Sequence, residues 1–183
     1  MTQLSDFSAE EAELLVSLPY KVGVFISHAD DVDGERDDQR EIKALESCIR
    51  AVGRLHEDKP FTSEVAKAAL EQKDKWPSWI DASFHAPEEA RKAVAVLRGK
   101  APEQVRKNYR AFLMEVASTV AQAHGEFSSF DEEQPEGGLF GGLVGRIAGS
   151  FKGLSEDDAG HPMNVSAAED TAISLLAKAL KDD

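Results

Sequence analysis

The chain has 183 residues, 42% of them hydrophobic and 30% charged, which is enough for one domain with a buried core and too few for two full-sized domains. Its 34 acidic and 21 basic residues give a formal charge of −13, which argues against nucleic acid as a partner because phosphate backbones would be repelled. The single cysteine, Cys48, excludes an internal disulfide. Because the N-terminal sequence lacks a secretory leader pattern and no apolar run approaches roughly 20 residues, we expect a cytoplasmic protein without stable membrane insertion.

Apolar residues recur at three- and four-residue steps along most of the chain, and this spacing predicts an all-α fold. Ser8 and Glu11 predict a capping box at the start of a first helix. We expect Pro19 to interrupt that helix and to open a second one, because proline is favoured at the first helical position. The next helix start is predicted at Asp38, and its inner face would place Cys48 in the core.

Further helix starts are predicted at Thr62–Ser63, at Pro87, at Pro102 and at Ser166, the last with Glu169 completing a capping box. The aromatic segment 75–85 is expected to be a connection whose rings cover the core. The last helix is expected to bury Ile173, Leu176, Ala177 and Leu180.

The two halves of the chain resemble each other. Residues 22–35 followed by 38–49 match residues 116–126 followed by 166–176, so that the turn 33–35 corresponds to the turn 124–126. Two helix-turn-helix units that cannot bury their apolar faces alone are expected to pack together. This packing would bring both turns into one site.

A long helix that ends in an Ala-Asp-Gly type of turn and precedes a capped, Glu-bearing helix, present twice, resembles the TerB-like tellurite-resistance domain. That family also covers the cytosolic region of a membrane-anchored DnaJ-type co-chaperone. The resemblance is clearest at residues 22–52, 109–127 and 163–180, and the second turn has His124 where the family pattern has Asp. It implies one domain over residues 1–183, a bundle of about seven to nine helices, a metal ion held by acidic residues at the helix turns and a role in stress response.

The acidic turn of the first half carries seven carboxylates between Asp30 and Glu41, with only two arginines among them. A divalent cation would relieve their repulsion, and calcium suits such a site because it accepts about six to eight oxygen ligands in irregular geometry. The EF-hand register is not met, because its first and last ligand positions fall on Ala29 and Arg40. The predicted metal ligands are Asp30, Asp31, Asp33, Glu35 and Glu41 from the first half, with Glu126 and Glu169 from the second.

Two alternatives to this carboxylate site stay open. The acids can form a solvated loop and a helix N-terminus, where negative charge favourably faces the helix dipole. His28 and His124 flank the turns and would suit a mixed histidine and carboxylate site for zinc or manganese.

Residues 128–162 form a Gly-rich insertion that is acidic at both ends and apolar at helical spacing in its middle. Three interpretations compete: a loop or self-packing segment, an amphipathic segment that touches a membrane, and a strip that docks another helix.

The sequence therefore predicts a non-enzymatic module that binds a divalent cation at its acidic inter-helix turns and has a protein partner. The main alternative is an interaction scaffold that docks a partner or a membrane-associated complex through the insertion, with no metal. A metal-dependent hydrolase is the third hypothesis. The standard catalytic signatures of P-loop, serine-elbow, HExxH and Rossmann proteins do not occur in the sequence.

Overall fold

The computed structural model describes residues 2–30, 38–127 and 166–181, and it describes the backbone alone at Asp30, 38–41 and 124–127. Within these ranges the α-helices are α1 (Ala9–Ser27), α2 (Asp38–Leu55), α3 (Pro60–Glu71), α4 (Trp76–Asp81), α5 (Ala86–Lys100), α6 (Glu103–Phe127) and α7 (Ala167–Ala179). Short 3-10 turns occur at Leu4–Asp6, His28–Asp30, Lys73–Lys75 and Ser83–His85. The described residues include no β-strand, so the predicted all-α class is confirmed.

Helix α1 continues through Pro19, so the predicted interruption at this residue is wrong. Proline has no N–H, and inside a helix it leaves the carbonyl four residues earlier, that of Leu15, without its helical donor. The hydroxyl of Tyr109 in α6 donates a 2.9 Å hydrogen bond to this carbonyl. Both residues are fully buried, so the tyrosine supplies the partner that a buried carbonyl needs and that the proline cannot provide.

Two predicted capping boxes are confirmed. At the start of α1, the Ser8 amide donates to Glu11 Oε2 at 2.7 Å and the Glu11 amide donates to Ser8 Oγ at 3.2 Å. At the start of α7, the corresponding distances between Ser166 and Glu169 are 2.9 Å and 3.2 Å. Helix α3, in contrast, begins at Pro60 rather than at Thr62–Ser63, because the N–H that proline lacks would have no intrahelical acceptor in the first turn.

The two tryptophans of the aromatic segment between α3 and α5 cover the core as predicted, whereas Phe84 is 66% exposed, and the segment contains the short helix α4 between two 3-10 turns. Trp76 and Trp79 are buried. The indole N–H of Trp76 donates to the carbonyl of Ala69 at 3.0 Å, and Tyr20 stacks on the Trp76 ring with centroids 4.5 Å apart. The two tryptophans therefore join α4 to α1 and α3.

The core surrounds α1, which contacts each of the other described α-helices. The predicted inner face of α2 is confirmed: Leu45, Cys48, Ile49 and Val52 are buried, with Cys48 1% exposed, and Ile42 packs partly buried against the core. The inner face of α7 is Ala172, Leu176, Ala179 and Leu180, whereas Ile173 and Ala177 are half-buried. The prediction for α7 is thus confirmed at Leu176 and Leu180, Ile173 packs against the core while only partly buried, and Ala172 and Ala179 are buried positions that were not predicted.

Candidate metal site at one end of the bundle

Helices α1 and α6 run side by side in the same direction. Lys100 at the end of α5 pairs with Glu11 in the first turn of α1, and α6 starts just after this point. Farther along, Tyr109 of α6 meets Leu15 of α1 through the hydrogen bond described above. The C-terminal ends of both helices therefore point to the same end of the bundle.

Helix α7 runs in the opposite direction to α1 and α6. The Leu180 carbonyl after its last turn accepts a 3.4 Å hydrogen bond from the guanidinium of Arg110, which lies near the start of α6. The helix also contacts the 3-10 turn His28–Asp30, which follows α1. Because its 13 residues span about 20 Å, the first turn of α7, with Glu169, lies beside the C-terminal ends of α1 and α6.

Helix α2 begins at this same end. Leu45 in its second turn packs directly on Gly23, near the end of α1. His56, just after the last turn of α2, contacts Glu115 in the middle of α6. The helix therefore runs away from the C-terminal end of α1, and its first turn, with Asp38 and Glu41, lies near that end.

The predicted ligands differ in what the structure describes. Asp31, Asp33 and Glu35 lie outside the described residues. Asp30, Glu41 and Glu126 lie at described backbone positions, in the turn after α1, the first turn of α2 and the last turn of α6, but their side chains are not described. Among the described side chains, no group of three or more His, Cys, Asp or Glu residues is placed to hold a metal ion.

Glu169 is the predicted ligand whose side chain the structure describes, and it is 2% exposed. Its Oε2 accepts the Ser166 amide in the capping box. Its Oε1 is buried and has no hydrogen-bond partner within the described part of the chain. An unpaired carboxylate oxygen in a buried position costs free energy, which a cation or a further donor would offset.

The ion pair of Lys21 and Glu89, which joins α1 to α5, was not predicted from the sequence. The ammonium donates to both carboxylate oxygens, at 2.7 and 2.9 Å, and Lys21 is only 8% exposed. The available signal was a single lysine within an apolar stretch, which indicates a buried cation with a partner. Its partner on α5 could not be assigned because it depends on the packing of the two helices.

His56, which is fully buried, forms a second polar contact that was not predicted from the sequence. Its Nε2 lies 2.7 Å from Glu115 Oε2, and Lys59 Nζ lies 3.2 Å from its Nδ1. Because an ammonium group can only donate, Nδ1 accepts, and the ring proton is on Nε2, where it is donated to Glu115. This chain of contacts fixes the corner between α2 and α3 to the middle of α6.

An open groove of about 400 Å³ lies between the first half of α1 and the end of α3. Its polar lining includes Glu13, whose carboxylate accepts from Trp79 Nε1 at 3.2 Å and from Lys75 Nζ at 2.6 Å. The groove is near the N-terminal end of α1, so it is separate from the end of the bundle that holds the predicted ligands.

Within the described residues the fold is an all-α bundle in which the ends of α1 and α6 and the starts of α2 and α7 lie at the same end. Among the described helices, none combines the length and the apolar character that crossing a bilayer requires. The chain matches no family model, no curated protein and no solved structure.

Proposed function

We propose that this protein is a non-enzymatic, TerB-like helical module that binds a divalent cation, with calcium as the first candidate, and acts in a stress response of the tellurite-resistance type. The ion would be held at the acidic inter-helix turns of two degenerate repeats. The observation that carries the proposal is the position of both helix pairs, whose turns start and end at one end of the bundle. Ligands that are far apart in sequence can therefore approach one another.

The chemistry of the available groups supports a hard cation. The predicted ligands are carboxylates, and calcium accepts oxygen ligands in irregular arrangements. Glu169 already has one buried carboxylate oxygen without a hydrogen-bond donor in the described residues. A bound cation would supply the missing partner and would reduce the repulsion within a chain of formal charge −13.

Thermal unfolding tests this proposal directly. The chelator-treated protein is heated alone and with calcium, magnesium, manganese or zinc. The ion that the site binds is expected to raise the midpoint temperature of unfolding. At a free concentration of 100 times Kd, the ion adds about 2.7 kcal/mol to the free energy of unfolding. The Asp33→Asn/Glu41→Gln variant, which removes two predicted ligand charges from the first half, is expected to lose the shift.

Glu11→Gln is the matched control. Glu11 is the capping-box carboxylate of α1, at the opposite end of the bundle, and glutamine keeps an oxygen that can accept in the capping box. This variant is expected to keep the full ion-dependent shift. If no metal raises the midpoint, the ion-binding proposal is wrong and the interaction scaffold becomes the better hypothesis. In that case, deletion of residues 136–154 should abolish complex formation without unfolding the bundle.

A further inference from the structure

We infer that the open groove between α1 and α3 binds a small primary ammonium ion that carries a short aliphatic chain. The groove is separate from the proposed metal site and shares none of its predicted ligands. Its volume of about 400 Å³ lies within the roughly 300–1,000 Å³ that small-molecule sites occupy. The side chains that line it belong to the described part of the chain.

The apolar part of the lining is aliphatic. Helix α1 contributes Ala12 and Val16, and α3, which packs against α1, contributes Ala68. Val16 is buried, whereas the two alanines are half-buried. Because an alanine side chain ends at its Cβ, an alkyl chain can lie between the two helices and bury apolar surface there.

The charged groups of the groove have a net negative charge. Its lining includes two acids, Glu13 and Asp74, and one base, Lys75. Lys75 Nζ already lies 2.6 Å from Glu13 Oε2, whereas Asp74 forms no ion pair within the described residues. The groove also lies at the C-terminal end of α3, where the last backbone carbonyls favour positive charge. A cation is therefore favoured over an anion.

Gln72, which follows the last residue of α3, supplies an acceptor for the ammonium group. Its Oε1 is buried and accepts no hydrogen bond from the described residues, which is unfavourable. The side chain as a whole is only half-buried, and the terminal torsion of a glutamine turns easily. Rotation of the amide can thus bring Oε1 to the groove without breaking a hydrogen bond of that oxygen. An ammonium group has three donors, so it can donate to Gln72 while it faces Asp74.

NMR titration of the ¹⁵N-labelled full-length protein with n-pentylamine tests this inference. Two further probes, 1-pentanol and hexanoate, carry the same pentyl chain with a neutral and a negative head group. We expect pentylamine to shift the backbone amide signals of residues 12–16 and 68–75. We also expect it to bind about tenfold or more tightly than either other probe, because its hydrogen bonds are charge-assisted.

Two substitutions locate the ammonium group. Asp74→Lys reverses an exposed charge at the groove, and we expect it to weaken pentylamine binding by about fivefold or more. Asp58→Lys is the matched control, because Asp58 is also exposed but lies before the start of α3, at the opposite end of that helix. It is expected to leave binding unchanged. Gln72→Leu removes an oxygen that has no partner in the described residues, so the fold should persist while pentylamine binds about tenfold more weakly.

Four outcomes would overturn the inference. Equal binding of pentylamine and pentanol would mean that the groove recognises only an alkyl chain, and stronger binding of hexanoate would mean that it prefers an anion. Full affinity in both Asp74→Lys and Gln72→Leu would place the amine elsewhere on the molecule. Absence of binding by all three probes would show that the groove holds no such ligand. The metal titrations do not bear on these outcomes, because the metal site is at the other end of the bundle.

Discussion

At the scale of single residues, the fold depends on buried polar groups that find partners on distant helices. Tyr109 donates to Leu15, and Lys21 pairs with Glu89. Such contacts add little net free energy when both partners are present, but the removal of one partner leaves the other unsatisfied in the core. They therefore act mainly by selecting one arrangement of the helices.

The contact between Tyr109 and Leu15 leads to a prediction about Pro19. Tyr109→Phe leaves the Leu15 carbonyl without a donor, so we expect the free energy of unfolding to fall by about 1–3 kcal/mol in urea denaturation. Pro19→Ala returns a backbone N–H that can donate to the same carbonyl. In a double-mutant cycle, Pro19→Ala should therefore be more favourable in the Tyr109→Phe background than in the unmodified chain.

Additivity of the two substitutions would contradict this explanation. It would mean that the hydroxyl and the proline act independently and that α1 continues through Pro19 for another reason. The sequence contains no other signal for the tyrosine, which lies 90 positions after the proline.

At the scale of helices, neighbouring residues determine where a helix begins, but they do not determine which residues of two different helices come into close contact. The capping boxes of α1 and α7 involve residues three apart, so the sequence predicts them directly. Two glycines show that the contacts between helices cannot be predicted in this way. Gly99 near the end of α5 has open space around its missing side chain, whereas Gly23 in α1 lies against Leu45 of α2.

The two glycines should respond oppositely to alanine. Gly99→Ala is expected to raise the free energy of unfolding by about 0.5 kcal/mol, because alanine favours the helix and meets no neighbour. Gly23→Ala adds a Cβ that overlaps with Leu45, which is 6% exposed, so we expect it to lower the free energy of unfolding by about 1–3 kcal/mol. Thermal or urea denaturation measures both changes.

Leu45→Ala provides the control for the glycine contact. It removes the atoms that a Cβ on Gly23 would meet, at the cost of a cavity. In that background the Gly23→Ala substitution should lose most of its unfavourable effect. A penalty that persists would show that the Cβ meets something other than Leu45.

At the scale of the whole molecule, burial in a single core makes the free energy of unfolding depend on alkaline pH. Burial raises the pKa of the Cys48 thiol from 9.0 to about 12. Burial also raises the pKa of Tyr109 well above its usual value, and the nearby Glu89 carboxylate acts in the same direction. Both groups keep their protons in the folded state at pH values where the unfolded chain has lost them.

The sign of this dependence follows from proton binding. A group whose pKa is raised by folding makes its full contribution to the free energy of unfolding below the unfolded pKa. This contribution is lost as the pH rises from there toward the folded pKa. For Cys48 this window opens near pH 9 and extends to about pH 12. Since one pKa unit corresponds to about 1.4 kcal/mol, we expect the thiol alone to lower the free energy of unfolding by about 3 kcal/mol between pH 8 and pH 11.

Denaturation of Cys48→Ala over the same pH range tests this expectation. The substitution lowers the free energy of unfolding by a constant amount, because it removes buried atoms, but the decline above pH 9 should be shallower than in the unmodified chain. The lysines titrate in both proteins and cancel in the comparison. Equal slopes would mean that the folded state does not hold the thiol proton.

The sequence by itself determined the features that depend on neighbouring residues: the all-α class, the capping boxes at Ser8 and Ser166, and the core position of Cys48. Helical periodicity and capping are set within a few residues, so they can be seen without the fold. It also predicted the acidic turns as a metal site, which stays a prediction because most of those side chains are not described.

Only the tertiary structure decided the features that join distant parts of the chain. Helix α1 continues through Pro19 because Tyr109 donates to the Leu15 carbonyl, and Lys21 pairs with Glu89. The starts of α2 and α7 lie beside the ends of α1 and α6. One oxygen of Glu169 is also buried, on a helix of modest apolar contact. These outcomes depend on which helices pack together and in which direction, a choice made by the burial of the whole core rather than by any local pattern.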